Sequence, residues 1–146
     1  MALLSVYKDL IDEIITQLKT ITQLANDGSN TRVHKWLGKR RMKVNDYEAV
    51  VTAGPMAVRG GYTSNSTENT FTVIVDLSFN SQNLSTGFDN AMTLAEKVYD
   101  KFHLTNINNN CRQAIVQIEP GETNVEGLYM ITIRCVILCS KVVTQT

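Results

Sequence analysis

The stretch Leu128–Lys141, LYMITIRCVILCSK, constrains the fold most. Its odd positions, Tyr129, Ile131, Ile133, Cys135, Ile137 and Cys139, form an unbroken apolar series at period two. That spacing predicts a strand with one face in a core. The even positions, Leu128, Met130, Thr132, Arg134, Val136 and Leu138, are apolar at both ends and polar in the middle. A strand of this length with a half-apolar second face predicts an interior place in a sheet, or a second face covered by something else. The rest of the chain reads as elements that pair with this strand and cover it.

Three further strands follow the same rule. Thr70–Asn80 sets Phe71, Val73, Val75, Leu77 and Phe79 on one side and Thr70, Thr72, Asp76, Ser78 and Asn80 on the other, with Ile74 the exception. Tyr47–Ala53 alternates Tyr47, Ala49, Val51 and Ala53. Arg112–Glu119 alternates Ala114, Val116 and Ile118 inward, and Pro120, Gly121 and Gly127 bracket a hairpin loop. Thr31–Leu37 reads as a short strand anchored by Val33 and Trp36.

Two segments carry helical spacing. From about Ala2 to Leu24, Leu3, Leu4, Tyr7, Leu10, Ile11, Ile14, Leu18 and Ile21 recur on one stripe, and the turn formers around Gly28 end the run. From about Thr86 to His103, with Ser85 as N-cap, the stripe is Phe88, Ala91, Met92, Ala95, Val98, Tyr99 and Phe102. The order is helix, three strands, helix, two strands. This predicts a two-layer α+β fold, with a mostly antiparallel sheet and both amphipathic helices on one face. The expected core holds Leu10, Ile14, Phe71, Val73, Val75, Leu77, Val98, Phe102, Ile131, Ile133 and Ile137. Val50, Ile74 and Leu138 are left on the outer face, where a monomer would not need them.

A length of 146 residues, with no internal repeat and no linker, is most simply one domain spanning 1–146. The segment Gly54–Asn69 is long for a connection in a compact domain. Its paired Gly60 and Gly61, with Met56, Val58, Arg59 and Tyr62, predict an extended hairpin arm or mobile loop that orders against a neighbour. TNINNN, 105–110, reads as a polar loop.

Acids and bases balance at 14 each, so no global charge points to nucleic acid or membrane. Their distribution is uneven. Arg32, Lys35, Lys39, Arg40, Arg41 and Lys43 fall in one acid-free run, and Glu119, Glu122 and Glu126 in one base-free hairpin. The basic run predicts contact with an acidic surface or with phosphate backbones, against the plainer reading of a solubilising loop. Three cysteines are too few for a disulfide scaffold. Cys135 and Cys139, about 13 Å apart along a strand, reach neither each other nor a shared metal. They read as buried free thiols. MALLSVYKDL lacks the basic start and apolar length of a signal peptide, and no apolar run reaches the roughly 20 residues of a membrane span.

Enzyme chemistry finds little support. His34 and His103 are far apart in sequence with no third partner signalled, and there is no G-x-S-x-G elbow, Cys–His signature or phosphate loop. No catalytic residue, metal ligand or cofactor is expected.

The whole pattern resembles the tail terminator (tail completion) proteins of long-tailed bacteriophages. The resemblance rests on the N-terminal amphipathic helix, the strand meander with its long hairpin, the helix FDNAMTLAEKVYDKF and the closing hairpin RQAIVQIEPGETNVEGLYMITIRCVILC. It implies a structural protein, not an enzyme. Such proteins form a ring, typically a hexamer, that ends the tail tube and offers a surface to the head connector. The implied partners are copies of the chain itself, the tail tube protein and the connector or neck protein, with genomic DNA passing through. The implied location is the virion tail, after assembly in the host bacterial cytoplasm. The basic run, the acidic hairpin and the 54–69 arm would be its subunit, partner or channel contacts. Head–tail joining (neck) proteins share similar small α+β folds and stand as the alternative. From another class, a small-ligand-binding domain or enzyme would need polar groups inside the apolar pocket, and only Asp76 and Arg134 qualify.

Overall fold

The computed structural model describes residues 3–26, 28, 31–36, 45–63, 66–107, 113–125 and 129–144. Helix α1 (Leu3–Leu18) leads to strands β1 (Val33–Lys35), β2 (Tyr47–Ala53), β3 (Ala57–Thr63) and β4 (Ser66–Ser81). Helix α2 (Leu84–Phe102), β5 (Ile115–Val125) and β6 (Tyr129–Thr144) complete the order. The class is α+β. The sheet runs β1-β2-β4-β6-β5, with β3 pairing β4 beside β2. All pairings are antiparallel except β1 with β2, which is parallel. The sheet is mostly antiparallel, as expected, and the parallel β1–β2 pair requires a connection that returns the chain to the end of the sheet where β1 began.

The alternation read from the sequence is what the sheet buries. Phe71, Val73, Val75, Leu77 and Phe79 of β4 lie beside Cys139, Ile137, Cys135, Ile133 and Ile131 of β6, in register from Ser66↔Thr144 to Ser81↔Tyr129. All ten are buried, as are Ala49 and Val51 of β2. They form one apolar cluster with Leu10, Ile14 and Leu18 of α1 and Leu94, Val98 and Phe102 of α2. Tyr7 of α1 packs its ring on Phe71 at 5.0 Å. A methyl group at Gly87 in α2 would meet the Ile131 side chain at 2.7 Å, so that glycine sets how closely the helix can approach the strand. Phe71 and Ile131 lie on the same sheet face, and each receives one helix.

Tyr7 also ties α1 to the sheet at the point where β2 ends beside β4. Its hydroxyl donates to the Gly54 carbonyl at 2.8 Å and also contacts the Thr72 carbonyl, while the Gly54 N–H donates to that same Thr72 carbonyl at 2.7 Å. Gly54 thus continues the β2 ladder before the chain rejoins β4 as β3. The segment expected as an extended hairpin arm or mobile loop forms a hairpin, with 57–63 as a strand paired with the first residues of β4 from Ala57↔Thr70 to Thr63↔Ser66. The same stretch of β4 pairs with the end of β6, Ser66↔Thr144 to Thr70↔Ser140. The extension therefore has three strands.

Several boundaries move for local reasons. Helix α1 was expected to reach Leu24 but stops at Leu18. Thr20 donates its hydroxyl to the Gln17 carbonyl at 2.6 Å, and Ile21 is extended. Side-chain competition at a run of β-branched residues ends the helix. A short 3-10 turn, Thr22–Leu24, then keeps Ile21 and Leu24 in the core. The N-cap of α2 is Asn83, not Ser85: its side chain accepts from the Thr86 N–H at 3.1 Å. In the 105–110 loop, Ile107 is buried.

Candidate functional site

The outer face of the sheet carries the one polar constellation considered for chemistry. Arg134 of β6 donates to both oxygens of Asp76 on β4, from Nε at 2.9 Å and from Nη2 at 3.3 Å. Glu119 of β5 sits in register on the other side of Arg134. A cation between two acids in a row across three strands is a solvent-facing cross-strand pairing. It lies on the face away from the core, so Asp76 and Arg134 do not supply polar groups to an apolar pocket. Around this row the same face carries Val50, Ile74, Val136 and Leu138, all half-buried, and the exposed Ile115. His34 of β1 faces Glu48 of β2 at 3.4 Å, and that Glu48 is buried. Among the described residues, no group of three or more His, Cys, Asp and Glu is arranged to hold a metal. No helix there is long and apolar enough to cross a membrane.

The basic run is less free than its sequence suggests. Arg32 donates to Asp46 at 2.9 Å and to the Ala25 carbonyl at 3.0 Å, and Lys35 donates to Asp12 at 2.6 Å. The run holds no acid of its own, but the fold brings acids to it from α1 and from the start of β2. Lys39, Arg40, Arg41 and Lys43 lie outside the described residues. Of the acidic hairpin, Glu119 is exposed on edge strand β5; Glu122 lies on β5 beyond a register shift between Pro120 and Thr123, and Glu126 is outside the described residues. Proline is tolerated at such an edge, where its missing donor is not needed. Of the arm residues, Met56 is half-buried and packs against the chain's own core. Val58, Arg59 and Tyr62 are on β3.

Two apolar features went unread in the sequence. Trp36, expected to anchor β1, is 66% exposed, while Val33 beside it is buried. Its backbone is held at φ +77 and its N–H donates to the Val51 carbonyl at 2.8 Å. A bulky side chain in that region costs about 1–3 kcal/mol. On α2, Phe88 and Met92 were placed in the core stripe but are 51% and 39% exposed, and the missing core position is Leu94. Phe88, Met92, Tyr99 and Ile118 line an open groove between α2 and edge strand β5, of about 690 Å³, with Asp89 and Glu96 beside them. Ile118, expected inward, is 39% exposed because it lies on the last strand, where α2 covers it only in part.

Burial pushes the Cys135 thiol from 9.0 up to about 12, with the Asp76 carboxylate adding to the effect. A group that keeps its proton in the fold and loses it in the unfolded chain destabilises the native state only above the unfolded pKa. Cys135 should therefore leave stability flat below about pH 9 and erode it by about 1.4 kcal/mol per unit from there toward pH 12. Denaturant titrations at pH 8 and pH 10.5 check the slope. Alkylation of Cys135 at pH 8 should occur only with unfolding; rapid native-state labelling would contradict its burial.

No protein-family model matches the sequence, and a search of curated proteins gives no match. Among solved structures, a chain of the virion of a native gene transfer agent particle is similar over 87% of this chain and 92% of its own, at 12% identity and TM-score 0.49. A second, whose description carries no functional word, covers 90% and 94% at 15% identity and TM-score 0.42. These values are too low to transfer a role.

Proposed function

We infer that this chain is a structural virion subunit, and within that class a tail terminator: a ring of identical copies that ends the tail tube and presents a surface to the head connector. The observation that carries this reading is that, among the described residues, the strand order β1-β2-β4-β6-β5 ends in β1 on one side and β5 on the other, each flanked by exposed apolar and charged side chains. Different patches on opposite sides are what a head-to-tail ring of identical subunits requires. The element order and segment character described above add the tail terminator resemblance. The half-apolar outer face and the three-stranded extension supply further surface for the tube or the connector. The basic run 32–43 faces a neighbour's acidic surface or the channel through which DNA passes, and complementary charge there fixes register more than it adds affinity.

The reading is tested by adding the purified chain to polymerising tail tube protein. Tubes should stop growing and show a ring at one end by negative-stain imaging. Tube growth that continues unchanged, with no density at either end, would contradict the terminator role.

A further inference from the structure

Helix α2 carries more apolar surface than the sheet buries. At roughly 100° per residue, Ala91, Ala95, Val98 and Phe102 centre on the core, and Phe88, Met92 and Tyr99 stand roughly 60–100° to one side. With Ile118 of β5 they form the groove described above, and its flanking side chains Asp89 and Glu96 are exposed acids. An open apolar groove with an acidic border calls for an apolar group carried beside a cation.

The chain offers such a group at its opposite edge. Trp36 follows β1 directly, is held outward by its left-handed backbone, and has Lys35 as its neighbour. Lys35 bonds Asp12, but both side chains are about half exposed, and such surface pairs are readily shared or exchanged. Four strand spacings separate β1 from β5, roughly 19 Å, so a chain cannot place Trp36 in its own groove. A second copy can.

We propose that Trp36 of one copy seats in the α2–β5 groove of the next, with Lys35 directed toward Asp89 and Glu96. The knob and the socket are different surfaces on opposite edges, so the contact is heterologous and repeats from copy to copy. Tryptophan beside a cation is the composition of an interface hot spot. This inference deepens the ring reading by naming its contact, and it stands without closure of the ring.

Trp36 is the only tryptophan in the chain, so its fluorescence reports the contact directly. Acrylamide should quench it freely in dilute, dissociated protein and poorly in the assembled form, with a blue shift on assembly. Trp36→Ala and Met92→Glu, each checked for an unchanged circular dichroism spectrum and melting point, should weaken assembly about thirtyfold or more, the scale of a hot-spot truncation. Phe88→Ser serves if Met92→Glu fails to fold. Mixed together, Trp36→Ala and Met92→Glu proteins should give dimers and nothing larger by light scattering, because each retains one half of the contact. Equal quenching in both states, either variant assembling like the parent, or protection of Trp36 only on adding a different protein would overturn the proposal. Closed rings with a freely quenched Trp36 would sink this contact and spare the ring. Open filaments with a protected Trp36 would do the reverse, and a chain monomeric at every concentration would remove both.

Discussion

Phe71→Ala should cost about 3–5 kcal/mol, the range for emptying a fully enclosed aromatic site. Phe71 is fully buried in β4, the middle strand of the sheet, and its ring meets Tyr7 of α1 at 5.0 Å. Removing it opens a void at the junction of the strand with the helix, and neither can relax into it easily. The Tyr7 hydroxyl is fixed on the Gly54 and Thr72 carbonyls, and β4 is paired on both sides. Urea titration with an unchanged slope measures the loss. A change under about 1 kcal/mol would mean that α1 does not pack where Phe71 lies.

Leu94→Asp should be more damaging, and Met92→Asp nearly harmless to folding. Leu94 is fully enclosed between α2 and the sheet, whereas Met92, two residues away, opens on the groove. A carboxylate at 94 must be buried without a partner or be protonated, and losses above about 4 kcal/mol are typical of such positions. At 92 it stands in water beside Asp89 and Glu96, and the cost should stay under about 1 kcal/mol. Both are measured at dilutions where copies are dissociated, so that assembly does not enter. Equal losses, or the reverse order, would show that α2 is rotated about its axis from the orientation described here.

The two helix positions also show where sequence reading ends. Period two survives contact with structure because a strand has only two faces. The bounds of Tyr47–Ala53 were legible to the residue, and so were the buried apolar series Phe71 to Phe79 of β4 and Ile131 to Cys139 of β6. Period 3.6 is less decisive, since a stripe wide enough to include Phe88 and Met92 can centre on either side of Ala95. The sheet's finite width settles it by leaving one flank of α2 uncovered beside the edge strand. Trp36 was misread because its hydrophobicity was visible and its backbone conformation was not.

The pairing of charges was hidden for a different reason. Asp12 reaches Lys35, and Asp46 reaches Arg32, through folding of segments 23 and 14 residues apart. A local count of acids and bases cannot see such partners. The row Asp76–Arg134–Glu119 likewise depends on register across three strands, 58 residues apart for its first pair. What the sequence did carry was the surplus of apolar residues, Val50, Ile74 and Leu138, on the outer sheet face. The glycine-rich segment 54–69 left a hairpin arm and a loop both open, because strand propensity is weak there, and the β3–β4 pairing is the hairpin.

The most direct measurement is the mass and shape of the purified protein in solution, by size-exclusion chromatography with light scattering and negative-stain imaging. A closed ring is predicted, with a mass near six times the 16.3 kDa of one chain and a central opening. A protein that stays at 16.3 kDa at high concentration, alone and beside purified tail tubes, would contradict the account.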